Sequence, residues 1–285
     1  KPTNVAPSDL PTGVLDRDYS LAVAMRMIAT LYRLERVADG RIKVARSVAE
    51  IRDAMANNVL APVLHFEGAE PIDAELGSLE AFYAAGLRSL GLVWSRPNTF
   101  AHGVPFKNPS TPDIGPGLTD AGRALVRACD ELGILVDVSH LNWKGFWEVA
   151  EISTKPFVAS HSNAHAVCSA SRNLTDDQLR VLRERGGLVG LNFSITETRP
   201  DGKPDADISL DLYMQHLEHL LEHMGEDGVG IGSDFDGCIV ARPIKDAAGL
   251  PNLVQAMRNR GFGDALIAKI ARDNWLRVLS RAWGE

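Results

Sequence analysis

The chain has 285 residues, which is long for an ordinary single domain but normal for one α/β barrel. Its composition, 45% hydrophobic and 24% charged, is typical of a globular protein with a large core. The net charge of −7 and the absence of any Lys or Arg cluster argue against a surface for nucleic acid or for an anionic membrane.

Helical periodicity alternates with short apolar runs along most of the sequence. In chain order, we predict a loop over residues 1–20, helices over 19–36 and 47–58, a strand over 61–67, a helix over 73–85, a strand over 87–94, a polar loop over 95–118, a helix over 119–132, a strand over 135–140, a helix over 142–152, a strand over 157–161, a helix over 175–185, a strand over 187–193, a helix over 210–224, a strand over 228–234 and two C-terminal helices.

Strands separated by helices predict a parallel sheet. Six strands fit either an open sheet or a (β/α)₈ barrel whose first two strands are not in this sequence. Residues 41–44 are too short and too polar to supply a buried barrel strand. No linker or repeat divides the chain, so we predict one domain over residues 1–285.

Chemically active residues follow the predicted strands. His140 and His161 each end an apolar run in Ser-His, and neutral imidazole at the carboxyl edge of a parallel sheet is a favoured zinc ligand. Glu67 and Asp234 end two other strands, so the four side chains are predicted to meet around metal. Glu67 could instead cap the next helix, and Asp234 could be a turn residue. His65 either supports the site or packs beside it.

Five motifs together resemble the membrane (renal) dipeptidase family, the M19 metallopeptidases. They are Phe-Glu-Gly (66–68), Asp-Val-Ser-His (137–140), Ala-Ser-His-Ser (159–162), Ser-Arg-Asn (171–173) and Gly-Ile-Gly-Ser-Asp-Phe-Asp-Gly (230–237). The resemblance implies a TIM-like (β/α)₈ barrel of the amidohydrolase type with two Zn²⁺ ions. It also implies hydrolysis of dipeptides by a metal-bound hydroxide.

The resemblance also implies a role for each matching residue. Glu67 would bridge the metals, His140 and His161 would complete the second zinc site, and Asp234 would be the acid/base. Arg172 would bind the C-terminal carboxylate of the substrate, although without the family context a surface salt bridge is also open. Trp94 and Asn192, which lie at the ends of two of the predicted strands, are predicted to contact the substrate.

Two departures from the family pattern matter. The family binds its first metal with a His-x-Asp pair on the first strand, and this sequence contains no His-x-Asp. We therefore expect that an N-terminal segment of about 50 residues, carrying the first two barrel strands, is absent from the chain. Trp94 stands where the family commonly has a histidine, which puts the stabilisation of the carbonyl oxygen and the usual L,L-dipeptide specificity in doubt.

The sequence therefore predicts a zinc-dependent dipeptidase. The alternatives are a metal-dependent amidase or N-acyl-amino-acid hydrolase, and a non-catalytic ligand-binding relative that lacks one metal. A small peptide substrate is expected, with no nucleic-acid or membrane partner, and the family resemblance suggests a homodimer. The three cysteines, which form no C-x-x-C pair, favour a reducing cytoplasm, and no signal peptide is evident.

Three histidines on the predicted helix over residues 210–224 have a spacing that could bind metal. His216, His219 and His223 flank an apolar stripe, beside Glu218 and Glu222. We interpret them as part of a solvated helix face.

Overall fold

A computed structural model describes residues 13–285, so most of the predicted N-terminal loop lies outside the described residues. The helices and strands, in chain order, are α1 (Arg17–Val37), α2 (Val48–Ala56), β1 (Leu64–Glu67), α3 (Gly77–Ala84), β2 (Leu87–Gly91), α4 (Asp120–Leu132), β3 (Leu135–Asp137), α5 (Trp143–Ile152), β4 (Val158–Ala159), α6 (Asp176–Glu184), β5 (Leu188–Leu191), α7 (Ile195–Thr198), α8 (Asp211–Met224), β6 (Val229–Ile231), α9 (Leu250–Asn259), α10 (Asp264–Ala268) and α11 (Asn274–Trp283).

The described residues form two compact units. The first unit comprises residues 13–103, 116–156 and 279–285. Its strands β1, β2 and β3 are adjacent in that order and parallel, with Glu67 beside Gly91 and Gly91 beside Asp137. The helix α3 connects β1 to β2, and α4 connects β2 to β3. Each connection brings the chain back to the end of the sheet where the strands begin, as parallel pairing requires.

Local capping fixes where the helices of the first unit begin. The Thr119 hydroxyl accepts a hydrogen bond from the Gly122 N–H at the start of α4. The Ser47 hydroxyl accepts from the Glu50 N–H in the same way at the start of α2. The Glu50 carboxylate accepts from the Arg46 N–H and not from the Ser47 N–H, so a capping box between Ser47 and Glu50 is only half formed.

The second unit comprises residues 104–115 and 157–278. Its strands β4, β5 and β6 are also adjacent in chain order and parallel, and α6 and α8 make the connections. A complete capping box between Thr175 and Gln178 starts α6. Both faces of β5 are buried, as expected for a parallel strand covered by helices.

All six predicted strands are present in a parallel α/β fold, but most are shorter than predicted. Some of their polar ends leave the ladder because the backbone turns there: His140 and Asp234 have left-handed φ angles of 68° and 53°. Residues 41–44, which we judged too short and too polar for a buried barrel strand, form no strand, but two isolated parallel bridges occur here, Ile42 to Leu60 and Ala45 to Val63. None of the helices among residues 13–285 is long and apolar enough to cross a membrane.

Candidate functional site

Two of the predicted metal ligands meet in the first unit. Glu67 is the last residue of β1, and its half-exposed carboxylate lies beside the buried imidazole of His140, just beyond β3. The distance from Glu67 Oε1 to His140 Nε2 is 2.9 Å. Pairing of β1, β2 and β3 in parallel brings these strand ends together, as the sequence predicted.

A serine forms a hydrogen bond with the other nitrogen of the His140 ring, Nδ1. Ser95 Oγ lies 2.7 Å from His140 Nδ1 in a buried contact. When Nδ1 carries the proton and donates it to Ser95, Nε2 keeps a lone pair that points at the Glu67 carboxylate. In the other tautomer, Nε2 carries the proton and donates it to the carboxylate at 2.9 Å, so the pair is held together without metal and becomes a pair of metal-binding atoms when the proton is on Nδ1.

His161 has the same arrangement in the second unit. It follows β4, is buried, and its Nδ1 lies 2.7 Å from Ser160 Oγ. Its main-chain carbonyl accepts hydrogen bonds from Arg172 Nη2 (3.1 Å) and Asn192 Nδ2 (3.3 Å). The backbone and ring orientation of His161 are therefore both fixed.

Two glycines let the strand ends approach the turn at His161. A Cβ on Gly190 or on Gly232 would lie 1.9 Å from the Ser160 carbonyl oxygen, which is far inside van der Waals contact. Because the opposing atom belongs to the backbone, no side-chain movement could make room. Glycine at these two positions allows β5 and the segment after β6 to pack against the residue before His161.

Arg172 is a buried cation in the second unit. Only 4% of it is exposed, so the alternative of a surface salt bridge is wrong. Among the described residues its Nε has no hydrogen-bond partner, and no carboxylate forms a salt bridge with it. A buried guanidinium with unused donors is unfavourable unless an anion joins it.

Asn192 is fully buried and held by several hydrogen bonds. Besides donating to the His161 carbonyl, its amide lies 3.2 Å from Glu197 Oε2, and its Oδ1 accepts from the Ser194 N–H. These contacts support the loop around His161. Its predicted contact with substrate stays a prediction.

Asp234 lies in a tight turn after β6, in the second unit. Its carbonyl accepts hydrogen bonds from the Gly237 N–H (3.1 Å) and from Cys238 Sγ (3.2 Å). A Cβ on Gly237 would lie 2.2 Å from Asp234 Oδ1, so glycine here keeps the carboxylate in its present position. Burial and the nearby Asp234 charge raise the pKa of the Cys238 thiol, which keeps it protonated.

Trp94 packs against His140 in the first unit. The two ring centroids are 5.8 Å apart, with a tilt of 35°. The Arg96 guanidinium also packs on Trp94, with its Cζ 4.9 Å from the centroid of the Trp94 ring. Arg96 Nε is also 3.2 Å from the buried Glu70 carboxylate. An apolar ring, fixed by this ion pair, therefore flanks the metal-ligand candidate.

His65 has polar partners at the edge of the same site. Its Nδ1 lies 2.9 Å from Ser89 Oγ, and its Nε2 is 3.8 Å from Asp137 Oδ2. Asp137 Oδ1 in turn accepts from the Ser139 N–H, one residue before His140. These contacts favour a supporting role for His65 over simple packing.

The three histidines of α8 do not lie on one solvated face of the helix. His216 is completely buried: its Nδ1 accepts from the Ala164 N–H (3.1 Å) and its Nε2 donates to the Thr198 carbonyl (3.0 Å). The interpretation of His216 as solvated is wrong, because the loop after β4 and the helix α7 cover it. His219 and His223 are partly exposed and lie near Asp176 on α6.

Sequence reasoning found the metal-ligand candidates but missed the serines that support them. For His161 the adjacent Ser160 was a visible signal. For His140 the adjacent Ser139 was misleading, since Ser95 makes the contact from the segment that follows β2.

Comparison with known proteins supplies independent findings. The sequence matches the membrane dipeptidase family (peptidase family M19) over residues 10–283. The crystal structure of dipeptidase AC, a metallo peptidase of family M19, is 48% identical with a TM-score of 0.95, and the match covers 97% of this chain and 80% of that one. A metallo peptidase from Rhodobacter sphaeroides, solved with a phosphinate mimic of the dipeptide L-Ala-D-Ala, is 47% identical with a TM-score of 0.95 and coverage of 98% and 81%. Dipeptidase verJ from Clonostachys rogersoniana is 31% identical over 269 residues, 93% of this chain and 67% of that protein.

Proposed function

Since the chain belongs to the membrane dipeptidase family, peptidase family M19, and is a metallo-dipeptidase, we propose that its metal is zinc and that its substrates are dipeptides with a free C-terminal carboxylate. The observation that carries this proposal is the matched support of two histidines. His140 and His161 each have a serine hydroxyl 2.7 Å from Nδ1, which leaves Nε2 as the ligand atom.

The donor set suits zinc. We propose Glu67, His140 and His161 as metal ligands, with Glu67 as the bridging carboxylate if two ions are bound. Imidazole nitrogen and carboxylate oxygen are the donors of catalytic zinc sites, and Glu67 Oε1 and His140 Nε2 lie 2.9 Å apart, close enough to bind the same ion. When bound, the metal supplies a Lewis acid for the peptide carbonyl and lowers the pKa of water.

Asp234 is proposed as the acid/base. Its carboxylate accepts the proton of the attacking water and passes it to the amine of the departing amino acid. The turn that holds it has a left-handed residue at Asp234 itself and a glycine at 237, so the carboxylate is positioned by the backbone.

Arg172 is proposed to bind the carboxylate at the end of the substrate. Its planar guanidinium can make two parallel hydrogen bonds to a carboxylate, and its unused Nε is one of the donors. Binding the chain end in this way favours substrates whose scissile bond lies close to a free C-terminal carboxylate, as it does in a dipeptide. Because the Rhodobacter relative binds a mimic of L-Ala-D-Ala, that dipeptide is the first substrate to test.

Kinetics of two variants test these roles. We expect Asp234→Asn to lower kcat for L-Ala-D-Ala by at least about 100-fold while metal analysis shows unchanged zinc content. We expect Arg172→Met to raise KM about 10- to 100-fold for L-Ala-D-Ala but not for its C-terminal amide, with Arg172→Lys in between. Retained turnover in Asp234→Asn would rule out the acid/base role of Asp234. An equal rise of KM for the amide in Arg172→Met would rule out carboxylate binding by Arg172.

A second activity is favoured by one observation. Trp94 presents an apolar ring beside His140, which suits an acyl group without a free amine. The alternative is therefore hydrolysis of N-acyl amino acids. Comparing turnover of Ala-Ala with that of N-acetylalanine separates the two, because only a dipeptidase prefers the substrate with the free amine.

The setting of the enzyme is also a proposal. We propose a cytoplasmic enzyme, consistent with three free cysteines, that acts as a homodimer with residues 1–285 as one catalytic domain. Sedimentation of the purified protein tests the dimer, and cell fractionation tests the location.

A further inference from the structure

A second group of side chains that could bind metal lies in the second unit. It shares no residue with the proposed catalytic site. Asp176, His219 and His223 each offer a ligand atom, and the three atoms lie within 4.8 Å of one another. His219 Nε2 is 2.7 Å from Asp176 Oδ1, and His223 Nε2 is 3.8 Å from Asp176 Oδ2. One carboxylate therefore faces two imidazoles.

The two helices hold this group in place. His219 and His223 are four residues apart on α8, so they lie on one face, with ring centroids 4.4 Å apart. Asp176 is the first residue of α6, whose start is fixed by the Thr175 capping box. The positions of all three ligands are thus set by regular secondary structure.

From this arrangement we propose a divalent transition-metal site that links α6 to α8, with Asp176, His219 and His223 as ligands and water completing the coordination. Two imidazoles and one carboxylate suit Zn²⁺, Cu²⁺ or Ni²⁺. Zinc bonds of about 2.0–2.2 Å separate neighbouring tetrahedral ligands by roughly 3.3 Å, which lies between the two observed distances. Small side-chain rotations therefore complete the site.

Its surroundings are compatible with exchange of metal from solution. The side chains of His219 and His223 are 19% and 29% exposed, and that of Asp176 is 48% exposed. The nearby Arg183 cation is directed at the backbone, where its Nη1 donates to the His223 carbonyl at 3.4 Å. Bound metal would connect the first turn of α6 to the last two turns of α8.

Zinc titration of the purified holoenzyme tests the site. Asp176→Asn and His223→Gln each remove one ligand, while Asp177→Asn is the matched control, because Asp177 is the next residue of α6 and pairs with Arg180 instead. By calorimetry, we expect wild type and Asp177→Asn to bind one more zinc ion than the catalytic complement. Asp176→Asn and His223→Gln should bind it at least tenfold more weakly. Equal zinc binding by all four proteins would overturn the proposal.

Hydrogen exchange gives a readout that is independent of activity. Added Zn²⁺ should slow exchange at the start of α6 and the end of α8 in wild type and Asp177→Asn, but not in Asp176→Asn. Slowing in Asp176→Asn as well would overturn the link between the helices. Dipeptidase activity should be the same in all four proteins, so the outcome is separate from that of the proposed function.

Discussion

Two serines set the chemistry of the two histidines. Ser95 is 45 residues from His140 in the chain, whereas Ser160 is adjacent to His161, yet both hydroxyls lie 2.7 Å from Nδ1. A hydrogen bond at Nδ1 fixes the tautomer and the ring orientation, and it makes Nε2 a better ligand. A serine hydroxyl therefore orients each histidine ring, although one serine is distant in the chain and the other is adjacent.

Replacing Ser160 tests this support directly. We expect Ser160→Ala to weaken zinc binding about 10- to 100-fold, because the His161 ring loses the partner that orients it. Ser162→Ala is the control: Ser162 is buried one residue after His161, and its hydroxyl has no partner among the described residues. Competition with a chromogenic chelator measures both affinities. Similar zinc affinity in the two variants would contradict the role of Ser160.

Gly237 is predicted to position the Asp234 carboxylate. In Gly237→Ala the new Cβ would lie 2.2 Å from Asp234 Oδ1, so the carboxylate must move while the rest of the turn can stay. We expect kcat to fall at least about tenfold with little change in melting temperature, since only the end of one side chain shifts. Steady-state kinetics and a thermal melt measure the two effects. A large loss of stability with normal kcat would mean that the glycine serves folding alone.

The ligand candidates were predictable from sequence, but their partners were not. An apolar run that ends in Ser-His identifies His140 and His161 because residues that follow parallel strands lie at one edge of the sheet. The partner of His140 depends on the pairing of β2 with β3, where Gly91 lies beside Asp137. That register, together with the left-handed turn at His140, brings in Ser95, and neither is visible in a single sequence.

At the scale of elements, α8 shows where periodicity succeeds and where it stops. The predicted apolar stripe is correct, since Tyr213, Leu217 and Leu220 are fully buried. His216 is buried as well, because α7, in a segment for which we predicted neither helix nor strand, supplies the Thr198 carbonyl. The hydrophobic pattern of a helix identifies the face that packs on the sheet. It does not identify a second face of the same helix that another segment of the chain covers.

The burial of His216 has a pH consequence. Burial lowers the pKa of His216 from its ordinary value of 6.5 to about 4, so the folded protein keeps it neutral. The unfolded chain binds the proton below pH 6.5, so this stabilising contribution is complete above pH 6.5 and is lost as the pH falls toward 4.

We therefore expect His216→Gln to be less sensitive to acid than wild type. Between pH 7.5 and 5.0, the free energy of unfolding of wild type should fall by about 2 kcal/mol more than that of the variant. At pH 7.5 the variant should be the less stable protein, because burying the flexible glutamine side chain against the Ala164 N–H and the Thr198 carbonyl costs more conformational entropy than burying the rigid imidazole. Urea titrations at the two pH values measure both quantities. Parallel loss of stability in the two proteins would show that His216 does not titrate as described.

At the scale of the whole molecule, the alternation of strands and helices was readable because buried parallel strands and amphipathic helices have different hydrophobic periods. All six strands and the α/β class followed from it. The lengths of most strands did not, since the strand ends that carry function turn out of the ladder, as at Asp234. Residues 42–45 pair with the chain before β1 although they are too short and polar to be identified as a strand.

Metal binding should contribute to the stability of the whole protein as well as to its activity. A ligand that binds only the folded state stabilises it by about 2.7 kcal/mol at a concentration 100 times its Kd. For a chain of this length, removal of the zinc by a chelator should therefore lower the melting temperature by roughly 5–10 °C. Turnover of L-Ala-D-Ala should disappear in the same samples, and added Zn²⁺ should restore both.

The experiment is done in the Asp176→Asn background, so that metal between α6 and α8 does not contribute. His140→Ala in the same background is the control: it removes one proposed ligand, so the chelator should change its melting temperature much less. The site would then lose one of its three proposed ligands, and zinc affinity should fall by at least about 100-fold. A chelator effect on melting temperature that is equal in both proteins would mean that the stabilising metal is bound elsewhere than at His140.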